Sequence, residues 1–516
     1  MRYIGRDVLE GDQAGEDGMG QSIERVDVLI VGAGLSGIGA AHHLQTECPG
    51  RSYAILEGRE AIGGTWDLFR YPGIRSDSDM YTLGYAFRPW TEAKAIADGP
   101  SILRYIRDTA REGGIERHIR FGHKVRRASW SSEDAAWTVE AELADGGVAR
   151  ISCSFLFLCG GYYSYEGGYT PEFPGAEQFQ GRIVHPQQWP QDLDYAGKRV
   201  VVIGSGATAV TLVPEMAKTA AHVVMLQRSP TYVVSRPAED KMANALRRWL
   251  PAKLAYALVR WRNVLFGMYF YRVAREKPQA VKTRIIGMVR EQLGPDYDVE
   301  KHFTPSYNPW DQRLCLVPDA DLFQAIKAGR ASVVTDHIDT FTETGIRLKS
   351  GETIEADVIV TATGLVLQPM NGIELTVDGR RVDPARTLSY KGMMYEGVPN
   401  LASSFGYTNA SWTLKCDLTC EYVCRLLNHM QATGLRQATP RNRDPEVGEA
   451  PWLDFSSGYV QRAMDKFPKQ GTKAPWKLHQ NYALDLMNLR YSRVDDGVME
   501  FSNPPGARSE AERKAA

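Results

Sequence analysis

The sequence predicts an α/β fold in which two βαβ units of the nucleotide-binding kind are interrupted by a helical insertion. Three observations predict it. Residues 26–31, Val-Asp-Val-Leu-Ile-Val, form a short apolar run that enters Gly-Ala-Gly-Leu-Ser-Gly at 32–37, as a buried parallel strand enters a helix through a glycine turn. The same grammar returns where Arg199 to Ile203 runs into Gly204-Ser205-Gly206-Ala207-Thr208-Ala209. Residues 238–300 then lack strand patterning and carry helical runs such as Leu254 to Val273.

The first unit continues through a helical stretch at Ala40 to Gln45 and a strand at Tyr53 to Glu57; the second continues into a strand at His222 to Gln227. Two further apolar runs, Phe155 to Leu158 and Asp357 to Thr361, each end in glycine a few residues on. They read as the last strands of two sheets, each leading back into the other unit. The expected organisation is therefore a first Rossmann-like domain over 25–165 and 364–505, a second over 170–237 and 301–363, and the insertion at 238–300. Mobile tails are expected at 1–24 and 506–516.

The chain has 516 residues, and 61 basic residues face 62 acidic ones. That balance argues against a nucleic-acid partner. The seven cysteines contain no C-x-x-C pair, so neither a zinc site nor a redox disulfide is expected. Cys416, Cys420 and Cys424 fall on one helix face and read as packing. Residues 1–24 lack the apolar core of a secretory signal, and no run of 18 apolar residues occurs. The expected location is cytoplasmic. In the insertion, Trp249, Trp261, Tyr269 and Tyr271 sit among Arg247, Arg248, Arg260 and Arg262. The preferred reading is a helical cap on the active site; peripheral contact with a membrane surface is the second.

In the first motif, Gly32, Gly34 and Gly37 allow a tight turn, close approach to a pyrophosphate and helix packing. Glu57 lies 20 residues beyond Gly37, where a carboxylate accepts ribose hydroxyls and repels a 2′-phosphate. The site suits FAD or NAD rather than NADP. Gly63 and Gly64, ahead of Thr65 and Trp66, permit close packing on a flat ring. In the second motif, Gly204, Ser205, Gly206, Ala207, Thr208, Ala209 and Val210 form the turn and helix start. No acid occupies the ribose position; Arg228 and Ser229 stand there instead, which suits the 2′-phosphate of NADPH.

Between the motifs, Phe179, Gly181, His185, Trp189 and Pro190 fit F-x-G-x-x-x-H-x-x-x-W-P. This segment resembles the fingerprint of Baeyer–Villiger flavoprotein monooxygenases. Gly63 to Trp90, Asn308 to Pro318 and Gly406 to Lys415 are similar to the ethionamide-activating, mycobacterial-type branch, over roughly residues 25–500. The resemblance implies FAD and NADPH as cofactors, O2 as co-substrate, and a small ketone or sulfide as substrate. It implies that Arg313 is the active-site arginine, Asp77 its carboxylate partner, and His185 a link between domain movement and the flavin. It also implies FAD contacts at Ser36, at Thr65, Trp66, Asp67 and Leu68, and at Val125 through a strand at Ile119 to Val125. Substrate contacts are implied for the insertion and for Asn409 to Trp412. Gln312 stands where many relatives have lysine, which shifts the NADPH preference onto Arg228 and Ser229.

Read without the resemblance, an ordinary ion pair of Arg313 with Asp319 or Asp321 stands level with the active-site role. The implied reaction is conversion of a ketone to an ester or lactone. The alternatives are oxygenation of a sulfide or thioamide, an NADPH oxidase releasing peroxide and, least, a redox-sensing binding module.

Overall fold

The computed structural model describes residues 23–453 and 455–505. The expected tails lie outside these residues, except that Glu24 already belongs to the first strand, Glu24–Val31. That strand pairs in parallel with Tyr53–Leu56 on one side and with Val148–Leu158 on the other. Its interior is apolar because both faces are covered; Leu29, Ile30 and Phe157 are fully buried. Val148–Leu158 is not a terminal strand. Its first half pairs antiparallel with Ala136–Leu143, and its last three residues pair in parallel with Leu401–Ser403. One long strand inside a nine-stranded sheet thus serves two partners on one of its sides.

Residues 119–125 form two strands rather than one, Ile119–Arg120 and His123–Ser131. Gly122, at φ +65°, turns the chain between them.

The second sheet has five parallel strands in the order Ala331–Thr335, His222–Gln227, Arg199–Ile203, Val358–Thr361 and Arg182–Val184. Val358–Thr361 therefore lies inside its sheet as well. Two segments, 160–169 and 362–372, cross between the sheets side by side. Tyr169 N donates to Gly364 O at 2.9 Å, Ser164 N to Val366 O at 2.8 Å, and Gln368 N to Tyr162 O at 2.8 Å.

The insertion consists of the helices Lys241–Trp249, Ala252–Glu276 and Pro278–Leu293. Asp240 caps the first by accepting from Ala243 N at 2.9 Å, and Pro251 and Pro278 mark the breaks. The middle helix docks on the first unit. Tyr256 donates to Tyr85 O at 3.0 Å. Arg260 is buried: its Nη1 donates to Tyr81 O at 2.8 Å and to Gly84 O at 2.7 Å. No helix among the described residues is long and apolar enough to cross a membrane.

The long helix Trp412–Thr433 packs along Leu35–Glu47 and buries Cys416, Cys420 and Cys424. At this contact His43 Nδ1 stands 2.6 Å from Glu47 and Nε2 3.8 Å from Asp417. Burial works against the imidazolium, but the two carboxylates outweigh it and hold the pKa up to about 9. The folded value is above the ordinary 6.5, so this contribution to stability is complete below pH 6.5 and fades as pH rises through about 9. Thermal unfolding from about pH 6 to about pH 10 should therefore lower the wild-type Tm relative to His43→Gln by on the order of 2 °C. Parallel curves for the two proteins would discard the pair.

Candidate active site

The first glycine turn is built for close approach. Gly32 has φ +104°, and a Cβ there would lie 2.8 Å from Gly160 Cα. Gly34 and Gly64 face one another, with a Cβ on Gly64 3.1 Å from Gly34 Cα. Gly37 packs its helix onto the turn; a Cβ would meet Gly32 O. This turn walls a cavity of about 510 Å³, lined by Ser36, Glu57, Thr65, Trp66 and Val125 among others. The buried Glu57 carboxylate accepts from Ala33 N at 2.7 Å and Arg59 N at 3.0 Å, and burial raises its pKa. Trp412 Nε1 donates to the Ser36 hydroxyl at 2.9 Å, and the indole stacks on Tyr162 at 5.2 Å between centroids. Thr65 and Tyr163 share a hydroxyl hydrogen bond.

Asp67 and Leu68 do not reach this wall. The Asp67 carboxylate is held by Arg59 at 2.5 Å, Arg107 at 3.1 Å and Arg70 at 3.3 Å, and Leu68 packs against the core of the second unit. The Asp67 side chain is thus committed to three arginines rather than to the cavity wall.

A larger cavity of about 850 Å³ adjoins the first, and Asp77, Ser78, Arg313, Tyr407 and Ala410 line both. Arg313 Nε stands 2.9 Å from Asp77 Oδ2. Neither alternative partner takes it: Asp321 pairs with Arg75, and Asp319 accepts from Ala238 N at 3.0 Å. Asp77, outweighing burial, raises the Arg313 pKa above its ordinary value, so the guanidinium stays charged. Burial raises the Tyr162 and Tyr459 phenols, and the charge of Arg313 acts on both. Asn409 lines the larger cavity and donates to Gln480 O at 2.9 Å.

The second turn repeats the first. Gly204 has φ +134°, and a Cβ there would lie 2.4 Å from Ala362 O. Gly206, Ala207 and Arg228 are exposed, and Ser205 donates to Ser229 O at 3.1 Å. Thr208 is half-buried beside Tyr71. Ala209 and Val210 are fully buried in the core beneath the turn, so they pack the helix and present nothing to a ligand.

Arg462 was not singled out from the sequence. Its guanidinium lies 3.5 Å from the Tyr169 ring centroid and 3.6 Å from where a Gly364 Cβ would stand. Burial lowers its pKa, and the charge of Arg228 lowers it further. Among the described residues, neither arginine has a carboxylate partner. Strand order places Arg228 and Gly364 on opposite sides of the strand that enters Gly204, so the two arginines bracket that turn.

His185 lines neither cavity. Its Nδ1 accepts from Gln187 N at 3.2 Å, and burial lowers its pKa. A Cβ on Gly168 would overlap its ring. Gln187 and Gln188 donate to Ser164 O and Glu166 O, both at 2.7 Å, so the fingerprint grips one of the two crossing segments.

Residues 94–370 match the family model described as flavin-binding monooxygenase-like, and residues 30–97 match one described as an NAD(P)-binding Rossmann-like domain. The FAD-containing monooxygenase EthA of Mycobacterium tuberculosis is 55% identical over 483 residues, covering 93% of this chain and 99% of its own. A probable FAD-binding monooxygenase, AlmA, of Acinetobacter baylyi is 48% identical over 480 residues, covering 93% and 96%. A solved structure described as oxidized steroid monooxygenase bound to NADP is 25% identical, with a TM-score of 0.69, covering 82% of this chain and 88% of that one. The chain belongs to the flavin-binding monooxygenase-like family, and its resemblance to the Baeyer–Villiger flavoprotein monooxygenases extends from the fingerprint to the fold.

Proposed function

We propose that this protein is an FAD-dependent, NADPH-consuming monooxygenase that inserts one atom of O2 beside a ketone carbonyl, giving an ester or lactone. The observation that carries the reading is the Arg313–Asp77 pair where the two cavities meet. The glycine cradle of the first cavity fits a flavin nucleotide: Gly32, Gly34 and Gly64 leave backbone surface where side chains would stand. Ser36, Glu57, Thr65, Trp66 and Val125 would hold it. Bound FAD supplies activated oxygen and bound NADPH the electrons for it.

The protein's own part is position and field. Asp77 holds one edge of the Arg313 guanidinium at the junction of the cavities, with the Tyr162 and Tyr459 phenols beside it. That fixed cation stabilises negative charge developing on oxygen as the carbonyl is attacked. The stacked pair Tyr162 and Trp412 adds an apolar wall to the smaller cavity. His185 acts as a positioning residue through the crossing segment that its loop grips.

The second turn would hold NADPH, with the 2′-phosphate between Arg228, Ser229 and Arg462. Losing one charge-assisted contact to a phosphate costs about 1.5–3 kcal/mol. Arg228→Ala and Arg462→Ala should each lower the NADPH-over-NADH preference in kcat/KM about tenfold or more. An unchanged ratio in either variant would remove that arginine from the phosphate site.

The deciding experiment for the reaction is a panel of ketones and sulfides, with NADPH consumption and product mass followed together. Ester or lactone formed in step with NADPH use is the expected result. Sulfoxide as the sole product would replace the ketone reading, and peroxide alone would make the protein an oxidase.

A further inference from the structure

The outer face of Ala252–Glu276 is apolar, exposed and regular. Leu254, Leu258, Trp261, Leu265 and Tyr269 follow steps of four, three, four and four residues, which is one stripe of a helix. They are 49%, 49%, 42%, 57% and 67% exposed. Trp249, at 86%, extends the patch, and Trp261 meets Tyr482 edge-on at 5.7 Å. Beyond that contact Leu484, Met487 and Tyr491 are exposed too. So much contiguous apolar surface marks a binding face rather than scattered surface residues.

The chain here is basic between two acids, Asp240, which pairs with Arg262, and Glu276, which pairs with Arg272 at 2.7 Å. From Lys241 to Arg275 the chain holds eight Lys or Arg residues and no Asp or Glu. Of these, Lys241, Arg248 and Lys253 are exposed and, among the described residues, in no ion pair. A second copy of this chain on a two-fold axis would set these cations against themselves. Anionic lipid headgroups complement them, and the aromatic rings suit the boundary between headgroup and acyl chain.

We propose that this face seats the protein on an anionic phospholipid bilayer, without crossing it. The same helix turns Phe266, Gly267, Phe270 and Tyr271 toward the 850 Å³ cavity. The cavity mouth then sits beside the lipid, and the substrate is an apolar ketone dissolved in the bilayer. This last clause rests on the proposed reaction; the docking itself does not.

The test is flotation of the full chain with vesicles of phosphatidylcholine alone or mixed with phosphatidylglycerol. Binding to the anionic vesicles should exceed binding to the neutral ones at least about tenfold and weaken with salt. Leu258→Asp/Leu265→Asp should abolish flotation and leave NADPH oxidation with a short, water-soluble ketone unchanged, since neither residue lines a cavity. Should that variant fail to fold, Trp249→Ser/Lys253→Glu carries the same expectation at the edge of the patch. Wild-type protein that stays with neither vesicle overturns the proposal. So does a wild-type dimer that the variant converts to monomer with no vesicle binding in either. Flotation without ketone oxidation leaves the docking intact and removes only the ketone reading.

Discussion

The Arg313→Ala protein is expected to purify yellow and to oxidise NADPH, yet to form ester at least about a hundredfold more slowly than wild type. Arg313 touches neither glycine turn, so flavin and nucleotide should still bind. What is lost is the one cation shared by both cavities, which Asp77 holds at 2.9 Å and keeps charged. Peroxide should appear in place of ester, because oxygen activated without a stabilising cation decays unproductively. Arg313→Lys should recover little, since a point charge cannot keep a second edge for substrate while one edge is held by Asp77. Ester formed at near wild-type rate by Arg313→Ala would remove Arg313 from the chemistry altogether.

Gly32→Ala is expected to give folded but colourless protein. The cost has two sources. A side chain at φ +104° is strained by about 1–3 kcal/mol, and the new Cβ would press on Gly160 Cα at 2.8 Å, backbone against backbone. Relief requires the turn to open, and the turn is the cradle. Flavin affinity should fall by at least about tenfold, read as 450 nm absorbance per polypeptide after flavin addition and desalting. Far-ultraviolet circular dichroism matching wild type would place the loss at the cradle. Full flavin content in this variant would separate the turn from the cofactor.

Much of the architecture could be read from local pattern, because a strand that turns sharply into a helix needs glycine at fixed spacing. Gly32 and Gly204 both sit at positive φ where backbone approaches backbone. The pairing of Arg313 with Asp77 was different. Nothing local marks it, since Asp319 and Asp321 are nearer in sequence, and only the resemblance pointed to it. Arg462 was hidden for a related reason: Tyr169, Gly364 and Arg228 come together only once the second sheet has formed. The burial of Arg260 was not legible, because it depends on partners the sequence does not adjoin, the carbonyls of Tyr81 and Gly84. The division of residues 119–125 was missed, although Gly122 marks the break. Of the three arginines on Asp67, Arg70 is three residues away, while Arg59 and Arg107 are brought to it only by the fold.

The paired segments 160–169 and 362–372 leave the two sheets connected as a door is by a strap hinge rather than as a weight is by a string. A lone strand of chain would let one half wander in every direction. Two segments bonded side by side bend more readily across their width than they swivel, which favours one arc for any swing of the second unit against the first. The loop carrying His185 is fastened to one leaf of that hinge, and whatever displaces the loop tilts the arc.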